Sequence, residues 1–229
     1  MLKRSFDVLL SALGLIVSLP LWAVIALAIK LQDNGPVFYR QQRVGKDGLL
    51  FTGLKFRSMV SDAEKKWGAI PAKENDPRIT NVGRLLRATA LDELPQLWNI
   101  LRGDMSFVGP RPEWIELVKQ FRREIPRFDL RHKVTPGLTG LAQVYGHSEI
   151  SRRHKLRYDL LYARRQSFWL DIRLVLLSFA VTFTGGWERR EGKVPRRRPL
   201  LRARKAIARS GWAAQTSLSK GASEWPPSL

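Results

Sequence analysis

LDELPQLWNILRGDMSFVGPRP, Leu91–Pro112, is the stretch on which the fold of this 229-residue chain turns. Leu91, Leu94, Leu97 or Trp98, and Leu101 recur at helical spacing and Gly103 stops the pattern, so Asp92 and Glu93 are expected near the start of a short amphipathic helix. Pro95 fits only the first turn of such a helix, where a missing N–H breaks no hydrogen bond. That address sets both acids beside unsatisfied N–H groups and the positive end of the helix dipole, which favours ionised carboxylates and draws phosphates. Neighbours on a helix point about 100° apart, so the two acids do not readily share a proton or straddle a sugar. Separate roles suit them: one attacks phosphorus while the other holds a hard cation such as Mg²⁺. The plainer alternative is that Thr89 or Asp92 caps the helix and the acids complement its dipole.

The neighbourhood favours the chemical reading. DPRIT, Asp76–Thr80, leads into Val82, Gly83, Arg84 and Arg87, so Arg78 and its neighbours bring guanidiniums close in sequence to the acids. Guanidiniums bind phosphate oxygens bidentately. Arg111 stands between Pro110 and Pro112, whose fixed φ angles present it from a stiff loop. In Thr135–Gln143, Pro136, Gly137 and Gly140 suit a tight turn whose amides approach a phosphate or nucleotide, although turning alone also accounts for the glycines.

A net charge of +20 and a pI near 11.1 imply an anionic partner: nucleic acid, acidic lipid or a phosphorylated substrate. The N-terminus points to lipid. No charge occurs from Val8 to Ile29, long enough to cross a hydrocarbon core as a straight helix. Lys3 and Arg4 precede that run, however, and Lys30, Arg40, Arg43 and Lys46 follow it, so both flanks are drawn to the cytoplasmic side. Pro20 lies near its middle with Ser18 nearby to satisfy a freed carbonyl, which predicts a re-entrant helix-break-helix over 1–34. A single-pass anchor is the alternative; a cleaved signal sequence is disfavoured by the length of the run and the want of a small-x-small site after it.

The expected fold is mainly α with a small β element: VFYRQQR and LLFTGLKF, with Gly45 and Gly48 between, form a short hairpin or a loop pair. Trp114, Leu117 or Val118, Phe121 and Ile125 make an apolar stripe ended by Pro126, and Ser151–Gln166 is a second basic helix; both are read as interfacial amphipathic helices, with an ordinary surface helix on a soluble core as the alternative for the second. Leu174–Phe183 is apolar but too short to span, so it is a buried or interfacial helix end. His132, His147 and His154 lack metal-ligand spacing and are expected on the surface. The chain has no cysteine, Walker A loop or dinucleotide fingerprint, which excludes thiolate chemistry and leaves phosphate binding to Arg, Lys, Mg²⁺ and helix termini. A cytoplasmic-face domain over 35–186 is followed by 187–229, with 11 Lys and Arg against 3 acids, expected to be a disordered tail attracted to anionic lipid.

KRSFD (3–7), GPVFYRQQRVG (35–45), KFRSM (55–59), DPRIT, LDELPQ, SFVGPRP, TPGLTGLAQV (135–144) and YDLLY (158–162) follow one another in an order that resembles the bacterial sugar transferases, the monotopic phosphoglycosyl transferases. Many short motifs in series are specific where each alone is weak. The resemblance implies a protein of the bacterial inner membrane with its active site on the cytoplasmic face. Asp92 would attack the β-phosphate of a UDP-sugar, release UMP and pass the phosphosugar to polyprenyl (undecaprenyl) phosphate, the first membrane step of exopolysaccharide synthesis. Glu93 would ligate Mg²⁺. Arg87 would hold a phosphate and Arg111 the nucleotide side, with Lys55, Arg57, Arg78, Pro110, Pro112, Thr139 and Gly140 lining the substrate site and Asp76 and Asp159 supporting it. Asp159 alternatively pairs with a nearby arginine. The sugar and the oligomeric state are not set by the sequence. No nucleic-acid partner is expected; a membrane-tethered nucleic-acid binder is the rival from another class, and it leaves Asp92 and Glu93 without a purpose.

Overall fold

Burial patterns and hydrogen bonds build a mainly helical protein with two small sheets in the computed structural model, which describes residues 1–63, 67, 68, 70, 72, 76–146 and 150–183. The basic stretch 187–229 lies outside the described residues. Helix α1, Leu2–Asp33, leads to strands β1 (Phe38–Val44) and β2 (Leu50–Phe56), which pair antiparallel from Phe38↔Phe56 to Val44↔Leu50 as the expected hairpin. Its bend takes two left-handed residues, Asp47 (φ 53°) and Gly48 (φ 80°). Asn99, in α3 (Gln96–Arg102), accepts from the Leu54 N–H at 3.0 Å and donates to the Thr52 carbonyl at 2.8 Å, fastening β2 to that helix. Helix α2, Asn81–Ala88, starts at Thr80, whose hydroxyl caps the Gly83 N–H at 2.9 Å.

Strands β3 (Ser106–Val108) and β4 (Gly137–Thr139) pair in parallel, so the chain must cross over between them. The crossover carries α4, Ile115–Glu124. Its predicted stripe exists, but Val118, Phe121 and Ile125 pack inward on Val44, Phe128, Leu156 and Leu160. The interfacial reading of this helix is therefore corrected, and for the same reason that of α6, Arg152–Arg165: Leu156, Tyr158, Leu160 and Tyr162 of α6 are all core residues. His132 is also interior, its ring edge-on to Phe128, where burial and Arg131 push its pKa down to about 4. His154 is exposed, and His147 lies outside the described residues.

Two further helices, α5 (Leu141–Tyr145) and α7 (Phe168–Phe183), enclose the main core with α3 and β3 around Ile100, Val108, Leu141, Tyr162, Leu170 and Leu174. Helix α7 buries Leu170 and Leu174 while exposing Trp169 and Leu176, a buried helix with an apolar outer edge.

Helix α1 lies along this body. Lys3 donates to the Val108 carbonyl, Tyr162 hydroxyl and Asp171 carboxylate at 2.9, 3.1 and 2.6 Å, and the buried Asp7 accepts from Ser106 and the Phe107 N–H. At the other end Asp33 pairs with Arg57, and Gln32 accepts from the Val82 N–H. Ile25 and Ile29 pack with Phe56 and Leu86, each such burial contributing about 2 kcal/mol. Against expectation there is no interval between two helices: one helical run contains Pro20. Ser18 bridges it, donating to the Leu15 carbonyl at 3.3 Å and accepting the Trp22 indole N–H at 3.0 Å, and the contact stripe through Ser11, Ile25 and Ile29 continues on both sides. The opposite face exposes Leu9, Leu13, Ile16, Val17, Leu19, Val24 and Leu27.

Candidate active site

Ala90 sets the site's local path. Its left-handed backbone (φ 56°, ψ 14°), which costs a residue with a Cβ about 1–2 kcal/mol, turns the chain out of α2 into a separate 3₁₀ turn, Leu91–Glu93. Asp92 and Glu93 occupy this turn, not the first turn of α3 as the spacing predicted. Pro95 is the reason: it has no N–H to donate to the Leu91 carbonyl, which accepts instead from Leu94, and Pro95 becomes the N-cap of α3. Thr89 bonds back to the Leu85 carbonyl at 2.7 Å as the C-cap of α2 and does not cap the start of α3, where Pro95 stands.

The two acids sit in different surroundings. Glu93 is held by Lys55, from β2, at 2.5 Å and by both terminal nitrogens of Arg111. Burial opposes its ionisation, but these two cations win and hold its carboxyl well below the usual carboxylate range. Asp92 is 6 % exposed and makes no hydrogen bond among the described residues; its closest cation is Lys55 at 3.7 Å. Burial raises its pKa, while Lys55, Arg87 and Arg111 pull it back. One carboxylate is thus locked between cations and the other lies close to them with its oxygens uncommitted.

Arg111 owes its position to the carbonyls of its own loop. Pro110 accepts from the Gly137 N–H at 2.9 Å, Arg111 from Arg131 at 2.7 Å and Pro112 from Arg43 at 2.6 Å. Arg131 is in turn held by the buried Asp159 at 2.8 Å, so Asp159 takes the pairing role and supports the loop through Arg131. Burial raises the Asp159 pKa against the pull of that guanidinium. The backbone of Gly137 is spent on Pro110, and a Cβ there would lie 2.0 Å from the Gly109 nitrogen, so close strand approach explains this glycine.

The remaining predicted residues divide. Arg87 is exposed at the end of α2, within electrostatic reach of Asp92 and without an ion pair among the described residues. Arg57 is committed to Asp33 and Ser61, and Arg78 to Asp76 and the Ile70 carbonyl. Thr139 is in β4 beside Val108 with its hydroxyl buried, and Gly140 lies where a Cβ would meet the Gly109 carbonyl at 2.3 Å. Beside Lys55 and Arg111 opens a cleft lined also by Tyr39, Gln41, Arg43, Phe51, Gln96, Met105 and Pro112.

The sequence model of the family described as bacterial sugar transferase matches residues 1–185. The chain belongs to this family. It is 47 % identical over 182 residues to the UDP-glucose:undecaprenyl-phosphate glucose-1-phosphate transferase of Klebsiella pneumoniae, covering 77 % of this chain and 39 % of that protein. It is 42 % identical over 187 residues to the UDP-N-acetylgalactosamine-undecaprenyl-phosphate N-acetylgalactosaminephosphotransferase of Aeromonas hydrophila, covering 80 % of this chain and 44 % of that one. The exopolysaccharide production protein ExoY of Rhizobium meliloti is 40 % identical over 189 residues, with 76 % and 82 % covered. The chain thus spans less than half the length of the first two relatives and most of the third.

The sequence reading missed Arg43, Arg131, Asp7 and Asn99, which place the site, and of these Arg43 also lines the cleft. Arg43 and Asp7 stand inside motifs already recognised, VFYRQQRVG and KRSFD, and a charge inside an apolar N-terminal helix signals a buried partner. Arg131 had no such signal, because its partners lie 20 and 28 residues away.

Proposed function

We propose that this chain moves a sugar 1-phosphate from a UDP-sugar to polyprenyl phosphate, with undecaprenyl phosphate as the carrier named in its relatives. The observation that carries the reading is the unequal acid pair: Glu93 clamped by Lys55 and Arg111, Asp92 buried beside them with uncommitted oxygens. An Asp92 oxygen attacks the β-phosphorus, the bond to the bridging oxygen breaks, and UMP leaves with the electron pair. An oxygen of polyprenyl phosphate then attacks the same phosphorus and returns Asp92 as its carboxylate. Two phosphates must approach a carboxylate, and Lys55, Arg87 and Arg111 offset that repulsion.

Mg²⁺ is the cation proposed here, because it commonly takes only one or two carboxylates and completes its shell with phosphate oxygens and water. Glu93 would hold it by giving up a contact with Lys55 or Arg111, which occupy both its oxygens, and when bound it would neutralise charge on the phosphate oxygens.

The working place is the cytoplasmic face of the bacterial inner membrane, with the apolar outer face of α1 immersed and anionic lipid drawn by the basic surface. Support comes from α1 itself: 32 residues long, uncharged from Val8 to Ile29 and anchored at both ends to one body. The test is Asp92→Asn. UMP release from UDP-sugar should fall by at least about 10³-fold. Incubation of the wild-type protein with donor alone should add one hexose phosphate by mass spectrometry. Full turnover by the asparagine variant would end the proposal.

A further inference from the structure

Gln96 is the first residue of α3, four positions beyond Asp92, and only 5 % of it is exposed. Its side-chain nitrogen Nε2 is shut off from solvent and has no hydrogen-bond partner in the protein. A buried amide donor without an acceptor destabilises a fold, and native proteins seldom keep one without a use. Two facts give it a direction. Gln96 lines the cleft together with Lys55 and Arg111, the cations that clamp Glu93, and Tyr39, Gln41 and Phe51 also line it. Aromatic and amide lining is suited to the neutral part of a ligand whose phosphates lie on the cations.

We infer that Gln96 is a substrate-binding residue whose Nε2 donates a hydrogen bond to an uncharged oxygen, a sugar hydroxyl or a base carbonyl, of the sugar nucleotide in this cleft. The inference rests on the transferase reading above. The same spot would select a ligand carrying an acceptor there: a donor already desolvated gains a full bond from such a ligand and nothing from one that lacks it. The neighbouring acids make a further demand, because a neutral amide reads an oxygen without adding charge beside Asp92 and Glu93.

Gln96→Met keeps the length of the side chain and removes the amide. In the full chain, the Tm of this variant should equal or exceed that of the wild type, because the orphaned donor is gone. KM for the UDP-sugar should rise at least tenfold with a much smaller change in kcat. Gln96→Glu, close in shape but unable to donate when ionised, should show the same KM defect. Measured UMP affinity then locates the oxygen: weakened UMP binding puts it on the base, and unchanged UMP binding puts it on the sugar. A lower Tm for Gln96→Met together with an unchanged KM for Gln96→Glu marks Gln96 as structural and overturns the inference. Unchanged KM in both variants of an active enzyme overturns it alone, whereas a wild-type protein inert with every UDP-sugar overturns the transferase reading and this with it.

Discussion

Lys55 reaches both acids, at 2.5 Å from Glu93 and 3.7 Å from Asp92, and its two contacts have different consequences. Glu93 keeps Arg111 if the lysine is removed, so its ionisation survives. Asp92 has no such substitute at hydrogen-bonding range: burial pushes its pKa up and Lys55 is the strongest influence pulling it down. The proposed attack by Asp92 requires the carboxylate, so Lys55→Met should move the acidic limb of the kcat/KM profile to higher pH. At pH 7 the loss should be about a hundredfold, the scale of removing one preorganised charge partner. Lys55→Arg should restore the limb's position more than the rate, because a guanidinium replaces the charge and not the geometry. A profile whose limb stays in place in Lys55→Met would show that the lysine acts on Glu93 alone. At this scale the sequence was informative where chemistry is local: adjacent Asp92 and Glu93, and Arg111 between prolines, were readable from residue type and order. Their unequal protection was not, since it depends on Lys55 arriving from a strand 38 residues away.

The β3 and β4 pairing shows why elements were less legible than residues. SFV and GLT are each three residues long, too short for alternation to declare a strand, and they exist because the backbones approach closely enough to exchange bonds. The hairpin of β1 and β2, with seven residues a strand and glycines between, was readable. Helix α4 was readable as a helix but not for its packing, because an apolar stripe looks the same whether it meets lipid or Phe128, Leu156 and Leu160. The close strand approach also carries the active-site loop, since the Gly137 N–H holds the Pro110 carbonyl at 2.9 Å. A methyl group at Gly137 would lie 2.0 Å from the Gly109 nitrogen and 2.5 Å from the Thr139 carbonyl, both backbone atoms that cannot swing aside. Gly137→Ala should therefore cost about 1–3 kcal/mol in urea denaturation. UMP release should fall by more than the folded fraction does, because the strands can separate only by moving Arg111. Equal losses in folding and activity would uncouple the loop from the strand pair.

Over the whole molecule, the decisive geometry is that of α1. Straight, its 32 residues measure about 48 Å, against a hydrocarbon core of about 30 Å, so length alone permits a span. Composition permits it too, and the sequence left both paths open. The contacts do not treat the two paths alike: Lys3, Arg4 and Asp7 bind Asp171, Ile100 and Ser106, while Gln32 and Asp33 bind Val82 and Arg57, all on one body. A helix crossing to the far side would have to give up one of these sets, including the buried Asp7 carboxylate and the Lys3 ion pair, and leave charges unpaired near lipid. Lying in the near leaflet keeps both sets and still immerses the exposed Leu13, Ile16, Val17 and Val24. The absence of cysteine makes this directly measurable. Single cysteines at Leu2 and at Asn34, tested one at a time in the membrane-bound protein, should both react with an impermeant maleimide in inverted inner-membrane vesicles. Neither should react in right-side-out vesicles. Labelling of Leu2→Cys and Asn34→Cys from opposite sides would establish a span and would require one end of α1 to leave the catalytic body in the membrane.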